Sequence, residues 1–341
     1  MERQRVLSPP YRTVVKPYGQ ALVELARHRP EIVCLTGDLT RQCEIDLFQA
    51  EFPDRFIHAG MAEANMIGVA GALARQGLMP FVHSFGVFTT RRPLDQIVNA
   101  VAYPRLPVRI VGFMPGISSP GGPSHQAIED LALMRALPNM TVIDVADATE
   151  TAQAVAAIAD IPGPVYLRLK RGEIPVIFPD DHRISLDRAQ LLTDALESDV
   201  ALLASGMMVA PALATATTLN ASGVAVTVVN VPVIKPLDTT TVLAAAGASQ
   251  VVITAENHSI IGGLGSAVAE TLAEAGLGRP LRRIGLQDTF AEGALTAQYL
   301  FAKYGLTVQH LVDTAWSALD CPGTPPSAHP PAGRADEYSP V

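Results

Sequence analysis

The sequence predicts an α/β protein of two domains, each built on a mainly parallel sheet flanked by helices. A chain of 341 residues is longer than one ordinary domain. Hydrophobic residues make up 48% and charged residues 17%, which indicates large buried cores. Short runs rich in β-branched residues alternate with Ala-rich helical stretches, the pattern of parallel α/β sheets. These runs are continuous rather than alternating, as expected for strands covered by helices on both faces.

Eight such runs are predicted to be strands. They are residues 32–35, 81–85, 108–113, 141–145 and 165–169, followed by 200–204, 224–229 and 251–255. Between the two series, residues 171–191 carry prolines and several charged side chains, which is typical of a linker. We therefore expect a first domain with its linker over residues 10–190 and a second over 191–318. Residues 319–341 are rich in Pro, Gly and Ser and are predicted to be a disordered tail.

Charge and cysteine content argue against several classes of protein. The net charge is −8 and the basic residues are scattered, so we expect no nucleic acid partner and no membrane partner. Cys34, Cys43 and Cys321 form no Cys-x-x-Cys pair, which argues against a zinc site or a disulfide framework and for a reducing cytosol. No run approaches the roughly 20 apolar residues that span a bilayer, and the N-terminus lacks a signal-peptide core. We expect a cytoplasmic protein with no metal-ligand cluster.

Residues 60–68 place one carboxylate at the start of a predicted apolar helix. Apolar side chains from Met66 to Leu73 recur at helical spacing within residues 62–73. Glu63 then lies in the first turn. A carboxylate there has an ordinary explanation, because it complements the helix dipole by ~0.3–1 kcal/mol.

Other chemically capable side chains lie near strand ends or in tight loops. Phe85 and Phe88 follow a strand, where core packing is the ordinary role of Phe. Asp38 lies in a Gly-Asp turn after a strand, where ligand-facing residues of parallel sheets are found, although a helix N-cap or an Asx-turn would also place Asp there. His125 lies in the loop of residues 118–126, whose Gly and Pro residues predict that it projects from a tight turn.

The order of these features resembles the pyrimidine-binding and C-terminal domains of the transketolase family. The motifs that carry the resemblance are Glu63 with its apolar helix, Phe85 and Phe88, Gly122-Pro123-Ser124-His125-Gln126, and Glu256-Asn257-His258. The resemblance covers roughly residues 12–315. It implies a thiamine-diphosphate-binding pyrimidine domain followed by a transketolase C-terminal domain.

The resemblance implies a role for each candidate residue. Glu63 would bind N1′ of the thiamine aminopyrimidine and drive it to the imino tautomer, which takes the proton from thiazolium C2. An apolar setting suits this role because it strengthens the hydrogen bond of a carboxyl group to the ring. Phe85 and Phe88 would seat the ring, and Asp38 would lie near the thiazolium. His125 would contact the sugar hydroxyls and help to move protons.

The substrate is less well defined by the resemblance. Arg171 matches an Arg that binds the substrate phosphate in many relatives, a role that suits its bidentate geometry, although a surface ion pair worth ~0–1 kcal/mol is the alternative. Elsewhere the chain departs from family positions that contact substrate: Gly121 stands in place of Asp, Phe113 in place of His, Val15 in place of Arg and Gln42 in place of Ser. An unusual ketose, or a sulfonated or branched sugar, is compatible with these departures.

The resemblance also implies a partner. The sequence has no Gly-Asp-Gly…Asn segment, with which the other half of these enzymes grips the diphosphate and Mg²⁺. We therefore expect an N-terminal transketolase subunit that holds Mg²⁺, in an α2β2 heterotetramer, with no metal ligand from this chain. Such an enzyme transfers a two-carbon ketol unit from a ketose to an aldehyde.

Three alternatives stay open. The β subunit of a 2-oxo acid dehydrogenase and an enzyme like deoxyxylulose-phosphate synthase share Glu63 and the overall order. The loop of residues 122–126 and Asn139-Met140 favour a transketolase over the dehydrogenase. A regulatory or scaffold paralogue that no longer binds thiamine is the non-enzyme alternative.

A glycine-rich stretch in the second domain does not predict a dinucleotide-binding site. Gly262-Gly263-Leu264-Gly265 lacks the third glycine of that fingerprint.

Overall fold

The computed structural model describes residues 3–193 and 197–328. Its strands are β1 (Thr13–Val15), β2 (Ile32–Thr36), β3 (Phe56–His58), β4 (Met79–Phe85), β5 (Arg109–Phe113), β6 (Thr141–Asp144), β7 (Val165–Leu169), β8 (Glu173–Pro175), β9 (Gln190–Leu191), β10 (Ser198–Ala204), β11 (Val226–Asn230), β12 (Val233–Lys235), β13 (Ser249–Ser259) and β14 (Leu281–Leu286). Its helices are α1 (Pro17–His28), α2 (Asp46–Glu51), α3 (Glu63–Arg75), α4 (Gly86–Arg91), α5 (Leu94–Gln96), α6 (Asp130–Ala136), α7 (Ala148–Ala159), α8 (Val209–Ala221), α9 (Thr239–Gly247), α10 (Leu264–Glu274), α11 (Ala297–Lys303) and α12 (Val308–Ala318). A π-helical turn covers Ile97–Ala102, and 3₁₀ turns cover Pro53–Arg55 and Gly206–Met208. Within these described ranges, none of the helices combines the length and apolar character needed to cross a membrane.

Seven strands form the sheet of the first domain, in the order β12-β6-β7-β5-β4-β2-β3. The strands from β6 to β3 run parallel, so their carboxyl ends meet at one edge of the sheet. Apolar side chains of α1 and α7 cover one face, and those of α3 cover the other. This covering explains why the strand sequences are apolar without alternation.

Five strands form the sheet of the second domain, in the order β14-β13-β10-β11-β9. All pairs are parallel except the one between β11 and the short edge strand β9. The two domains share structure at their junction. Strand β12, which follows β11 in the chain, pairs antiparallel with β6 at the edge of the first sheet. One apolar cluster also joins side chains of both domains, from Leu35 and Met66 to Val252 and Leu264.

The predicted fold class is confirmed, since both domains are α/β with mainly parallel sheets. Each of the eight predicted runs overlaps one strand of the structure. Strand β13 continues beyond the predicted end at residue 255 as far as Ser259, because the buried polar residues Glu256, Asn257 and His258 find hydrogen-bond partners there. The predicted helix over residues 62–73 is α3, with Glu63 in its first turn.

The predicted linker contains ordered structure along its length. Strand β8 pairs antiparallel with β1. The backbone N–H groups of Ile177 and Phe178 then each donate to Asp147 Oδ2 at 2.8 Å. The linker is therefore attached to the first domain through backbone hydrogen bonds.

The predicted tail is described only in part. Residues 319–328 lie against α12, where Trp316 Nε1 donates to Gly323 O at 3.3 Å. The backbone N–H of Ala328 donates to Gln309 Oε1 at 2.8 Å. The rest of the predicted tail, residues 329–341, lies outside the described residues.

Candidate active site

Glu63 begins α3, and only 2% of its side chain is exposed to solvent. Its charged partner is Arg92, whose Nη1 donates to Glu63 Oε1 at 2.7 Å. The Arg92 side chain is 49% exposed. The pair therefore joins a buried carboxylate to a cation that reaches it from the solvent side.

A buried hydroxyl group lies beside Glu63. Ser84 belongs to β4, and its Oγ has no hydrogen-bond partner among the residues that the structure describes. A Cβ placed on Gly37 would lie 3.6 Å from both Ser84 Oγ and Glu63 Cγ, so the two side chains face the same space. Buried polar groups are normally paired. An unpaired hydroxyl beside a buried carboxylate therefore indicates a place where a polar ligand can bind.

Contacts of Arg92 and Phe88 connect the carboxylate to the predicted catalytic histidine. The guanidinium carbon of Arg92 lies 4.1 Å from the centroid of the Phe88 ring. The His125 ring meets Phe88 edge-on, with centroids 5.3 Å apart. Phe85 stacks with Phe88 at a centroid distance of 6.0 Å and is itself buried in the core. The structure thus brings Glu63, Phe88 and His125 together.

The loop that carries His125 is held by Arg91, the last residue of α4. Arg91 forms a bidentate ion pair with Glu129 through its Nε and Nη2 atoms. Its Nη1 donates to Pro123 O at 2.9 Å, and its Nη2 donates to Gln126 O at 3.0 Å. Because these carbonyl groups flank His125, one planar guanidinium fixes the chain on both sides of it.

The second domain supports the same loop. Gln126 Nε2 donates to Glu292 O at 3.1 Å, and the backbone N–H of Ala294 donates to Pro120 O at 2.9 Å. Both contacts come from the segment between β14 and α11. The position of His125 therefore depends on the packing of the two domains.

Gly121 is one of the positions where the chain departs from the family. A Cβ at this position would lie 2.9 Å from His125 Cβ, which is closer than real Cβ atoms approach. An Asp there would require His125 or its loop to move. The placement of His125 is thus a physical reason for glycine at this position.

Asp38 lies at the same edge of the first sheet, in a turn where its φ is 71°. Its Oδ1 is 3.1 Å from Nε2 of His58. The backbone N–H of Gly60 donates to His58 Nδ1 at 3.3 Å, so Nε2 carries the proton and donates to Asp38. Helix α2 begins only at Asp46, so Asp38 caps no helix.

Two residues considered for substrate binding have different surroundings. Arg171 follows β7 at the same sheet edge and is half-buried. Burial raises the pKa of the Cys43 thiol well above its usual value, and the charge of Arg171 acts in the opposite direction. Phe113 is fully buried and packs edge-on against Tyr18, with ring centroids 5.6 Å apart. Phe113 is therefore a core residue.

A buried ion pair lies beneath the loop. Arg168 donates to Asp130 through Nε at 2.8 Å and through Nη2 at 2.9 Å. Tyr166 donates its hydroxyl to Asp130 Oδ2 at 2.6 Å. Burial favours a raised pKa for Asp130, but the charges of Arg168 and His258 outweigh it and hold this pKa below its usual value. Asp130 is therefore an ionised carboxylate in the core.

The same arginine reaches the second domain. Arg168 Nη2 donates to the backbone carbonyls of Ala127, at 3.1 Å, and of Asn257, at 2.9 Å. The Asn257 side chain accepts from Ile117 N at 3.0 Å and donates to Pro115 O at 3.0 Å. This network anchors the start of the His125 loop to β13.

Four residues of the site are not predicted from the sequence: Ser84, Arg91, Arg92 and Arg168. Arg92 lies four residues after Phe88, a helical spacing that could have indicated their contact. Arg168 interrupts an apolar strand, which is a recognisable sign of a buried ion pair. Ser84 and Arg91 carry no comparable sign, because their surroundings come from distant parts of the chain.

The side chains fit one end of the aminopyrimidine that the resemblance implies. Glu63 can hydrogen-bond to a ring nitrogen, the face of Phe88 can stack on the ring, and Ser84 offers an unpaired hydroxyl. Within the described part of the chain, no three His, Cys, Asp or Glu side chains form a group that could hold a metal ion.

Comparison with known proteins finds the same two domains. Residues 11–176 match the transketolase pyrimidine-binding domain, and residues 189–311 match the transketolase C-terminal domain. A transketolase family protein of Sinorhizobium fredii is 44% identical over 309 residues, which cover 89% of this chain and 88% of that protein. The 6-deoxy-6-sulfo-D-fructose transketolase subunit of a Clostridium species is 43% identical, with 87% of this chain and 92% of the subunit covered.

A solved structure and a longer relative add to this comparison. The structure of a split-gene transketolase, an inactive beta4 tetramer, is similar with a TM-score of 0.82 and 43% identity, covering 89% of this chain and 97% of that chain. A 1-deoxy-D-xylulose-5-phosphate synthase of Dictyoglomus thermophilum is 34% identical. That match covers 90% of this chain but only 50% of the synthase.

Proposed function

The chain belongs to the transketolase family, and we propose that it is the pyrimidine-binding subunit of a thiamine-diphosphate-dependent transketolase. The enzyme transfers a two-carbon ketol unit from a ketose to an aldehyde. One observation carries the proposal: at the carboxyl edge of the first sheet, Arg92 connects Glu63 to Phe88, and Phe88 contacts His125. Ligands of parallel sheets bind at this edge.

Glu63 and its neighbours bind and activate the cofactor. Thiamine diphosphate, when bound, supplies the carbon nucleophile for breaking and forming the carbon–carbon bond. Glu63 would hydrogen-bond to N1′ of the aminopyrimidine, and its burial would keep water from competing for that bond. Phe85 and Phe88 seat the ring, and Ser84 gives a further hydrogen bond. Asp38, which His58 holds at the turn after β2, would lie near the thiazolium.

His125 acts on the substrate. Ser124 Oγ lies 2.9 Å from His125 Nδ1, so Nε2 is the ring nitrogen that would act on the sugar. An imidazole can give and take protons near neutral pH, which suits transfer to and from the hydroxyl groups beside the reacting carbon. Arg91 donates hydrogen bonds to the backbone carbonyls on both sides of His125, and these bonds keep the imidazole in place during the transfer.

The substrate is a ketose whose distal group differs from an ordinary sugar phosphate. Phe113 lies in the core and Gly121 is required by His125, so neither position contacts a phosphate or hydroxyl as in many relatives. Arg171 remains as an anion-binding residue at the sheet edge. The 43% identity to a subunit named for 6-deoxy-6-sulfo-D-fructose supports a sulfonated ketose as the first substrate to test.

A partner subunit completes the enzyme. The proposal is an N-terminal transketolase chain that grips the diphosphate and Mg²⁺, assembled with this chain as α2β2. Two relatives support it, because one is named as a subunit and the other as a split-gene transketolase. The tetramer of the second also supports contacts between copies of this chain.

The test is to co-express this chain with a candidate N-terminal subunit and to titrate thiamine diphosphate and Mg²⁺, following binding by calorimetry and circular dichroism. We expect binding in the mixed complex, and ketol transfer to an aldehyde from a sulfonated ketose in preference to a phosphorylated one. If both chains are folded and associated but bind no cofactor, the scaffold alternative replaces the enzyme. Turnover of pyruvate in place of a ketose would instead indicate the synthase or the 2-oxo acid dehydrogenase alternative.

A further inference from the structure

We propose that, in the cofactor-free subunit, Arg92 occupies the position that the aminopyrimidine would take. The cofactor must then displace Arg92 to bind. This inference rests on the proposed function, because it concerns the same carboxylate. It assigns to Arg92 a role that Glu63, Phe88 and His125 do not have. Arg92 sets the affinity for the cofactor by competing with it.

Arg92 makes the two contacts that the aminopyrimidine needs. Its Nη1 donates to Glu63 Oε1 at 2.7 Å, the carboxylate that would face N1′. Its guanidinium carbon lies 4.1 Å from the centroid of Phe88, the ring that would stack on the pyrimidine. A guanidinium is planar and donates in its plane, so it resembles the edge and the face of an aminopyrimidine. A bound ring and this guanidinium cannot both occupy the space between Glu63 and Phe88.

The exposure of the two side chains decides which one moves. Glu63 is buried at the start of α3 with 2% of its side chain exposed, whereas Arg92 is 49% exposed at the end of α4. Arg92 can swing into water by rotation of its side chain alone. Glu63 is enclosed by protein at the first turn of its helix and has no comparable route into water. Displacement therefore removes the arginine and keeps the carboxylate in place.

The contact also has a use in the free subunit. A buried carboxylate without a cation is costly, and Glu63 is needed in a buried position for its hydrogen bond to the ring. Arg92 supplies the missing charge until the cofactor arrives. The ion pair stabilises the empty site and weakens cofactor binding by the same interaction.

The test compares thiamine diphosphate affinities of mixed complexes that contain wild-type chain, Arg92→Ala, Arg92→Gln or Arg92→Lys. Losing the competitor should lower the Kd about tenfold in Arg92→Ala and Arg92→Gln, as calorimetry would measure in the presence of Mg²⁺. Arg92→Lys should lie between these variants and the wild type, because an ammonium lacks the planar face that stacks on Phe88. Arg75→Ala, which removes an exposed arginine at the end of α3, is the matched control and should leave the Kd unchanged.

A second readout does not need the cofactor. In the complex without thiamine diphosphate, Arg92→Ala should lower the melting temperature, and saturating cofactor should remove most of the difference from the wild type. Unchanged or weaker cofactor binding in both Arg92→Gln and Arg92→Lys would overturn the inference and leave the proposed function standing. A wild-type complex that binds no cofactor at all would instead remove both proposals.

Discussion

Glu63 is the residue on which the proposed chemistry depends, and its surroundings are unusual for a carboxylate. Its side chain is almost fully buried, it faces the unpaired hydroxyl of Ser84, and its cationic partner Arg92 comes from the solvent side. A purely structural helix-dipole role would need neither burial nor an arginine. The combination is better explained by a group that exchanges one partner for another.

Replacing Glu63 by Gln tests this role. The amide has the same shape and can still occupy the space beside Arg92, so the fold and the assembly should be kept. Turnover of the mixed complex should fall by at least about 100-fold, since general acid–base groups contribute ~10²–10⁴. Steady-state kinetics measures the loss, and circular dichroism checks the fold. Near-wild-type turnover of the Glu63→Gln complex would contradict the role assigned to Glu63.

Arg91 is expected to act through His125. Arg91→Lys keeps a positive charge but cannot bind Glu129 bidentately and reach both carbonyls that flank His125. We expect kcat to fall by about tenfold or more, with the Kd for thiamine diphosphate little changed. The control is Arg105→Lys, at an exposed turn outside the site. An equal loss in cofactor affinity would mean that Arg91 supports the whole site rather than the histidine loop.

At the scale of single elements, three helices donate backbone N–H hydrogen bonds at their N-termini to buried carboxyl groups. Glu44 accepts from Gly19 N at 3.0 Å in α1, Asp147 from Glu150 N at 2.7 Å in α7, and Glu256 from Leu264 N at 2.7 Å in α10. Burial raises the pKa of each of these carboxyl groups to about 7, although the backbone hydrogen bonds act in the opposite direction. The protonation state of the group that caps each of these helices therefore changes near neutral pH.

Glu256 gives a stability prediction with a defined sign. Its folded pKa of about 7 lies above the usual value of 4.5, so the folded chain holds this proton more tightly than the unfolded chain. The stabilisation from this group is fully present below about pH 4.5 and is lost as the pH rises towards 7, by on the order of 3 kcal/mol. His258 has a pKa lowered to about 4 by burial and changes stability in the opposite direction between pH 4 and 6.5.

The measurement is therefore a difference between variants. The free energy of unfolding of the wild type minus that of Glu256→Gln, from urea titrations, should fall as the pH rises from 4.5 to 7. The same difference for Glu274→Gln, an exposed carboxylate at the end of α10, should stay constant. A wild-type-minus-Glu256→Gln difference independent of pH would contradict the link between Glu256 and pH.

For the whole molecule, the most important feature is the way in which the second domain supports the first. Strand β12 adds to the edge of the first sheet. The side chain of Asn257 hydrogen-bonds to the backbone on both sides of Gly116. The backbone carbonyl of Glu292 accepts a hydrogen bond from the side chain of Gln126. A Cβ on Gly116 would come within 2.2 Å of Asn257 Oδ1, so the two domains approach closely at this loop. The second domain thus contributes to the site without supplying its reactive groups.

Arg168→Met tests this support. The change leaves Asp130 and Asp144 buried without the cation between them, and breaking such a pair typically costs ~3–5 kcal/mol. We expect the free energy of unfolding to fall by that amount. Asp144→Asn is the comparison, because it leaves the closer pair with Asp130 intact and should cost less. Equal losses in both variants would show that Asp130 is not the main partner of Arg168.

The sequence alone determined the fold class, the two domains and the helix that begins near Glu63. These follow from local patterns, since the periodicity of apolar residues reports which faces are buried. The carboxyl-edge positions of Asp38, Phe85 and Arg171 also follow, because they come directly after predicted strands. The roles of Asp38, Glu63, Phe85, Phe88, His125 and Arg171 remain predictions to be tested by mutation.

Only the tertiary structure decided which side chains meet. The contacts of three arginines join residues that are distant in the chain or lie on separate elements. Arg92 pairs with Glu63, Arg91 binds the backbone beside His125, and Arg168 pairs with two buried aspartates. Such contacts depend on how helices and sheets are oriented when they pack, and no local pattern specifies that orientation. The sequence therefore identified the carboxylate and the histidine, whereas the contacts of Arg91 and Arg92 came from the packing of helices and loops within the first domain.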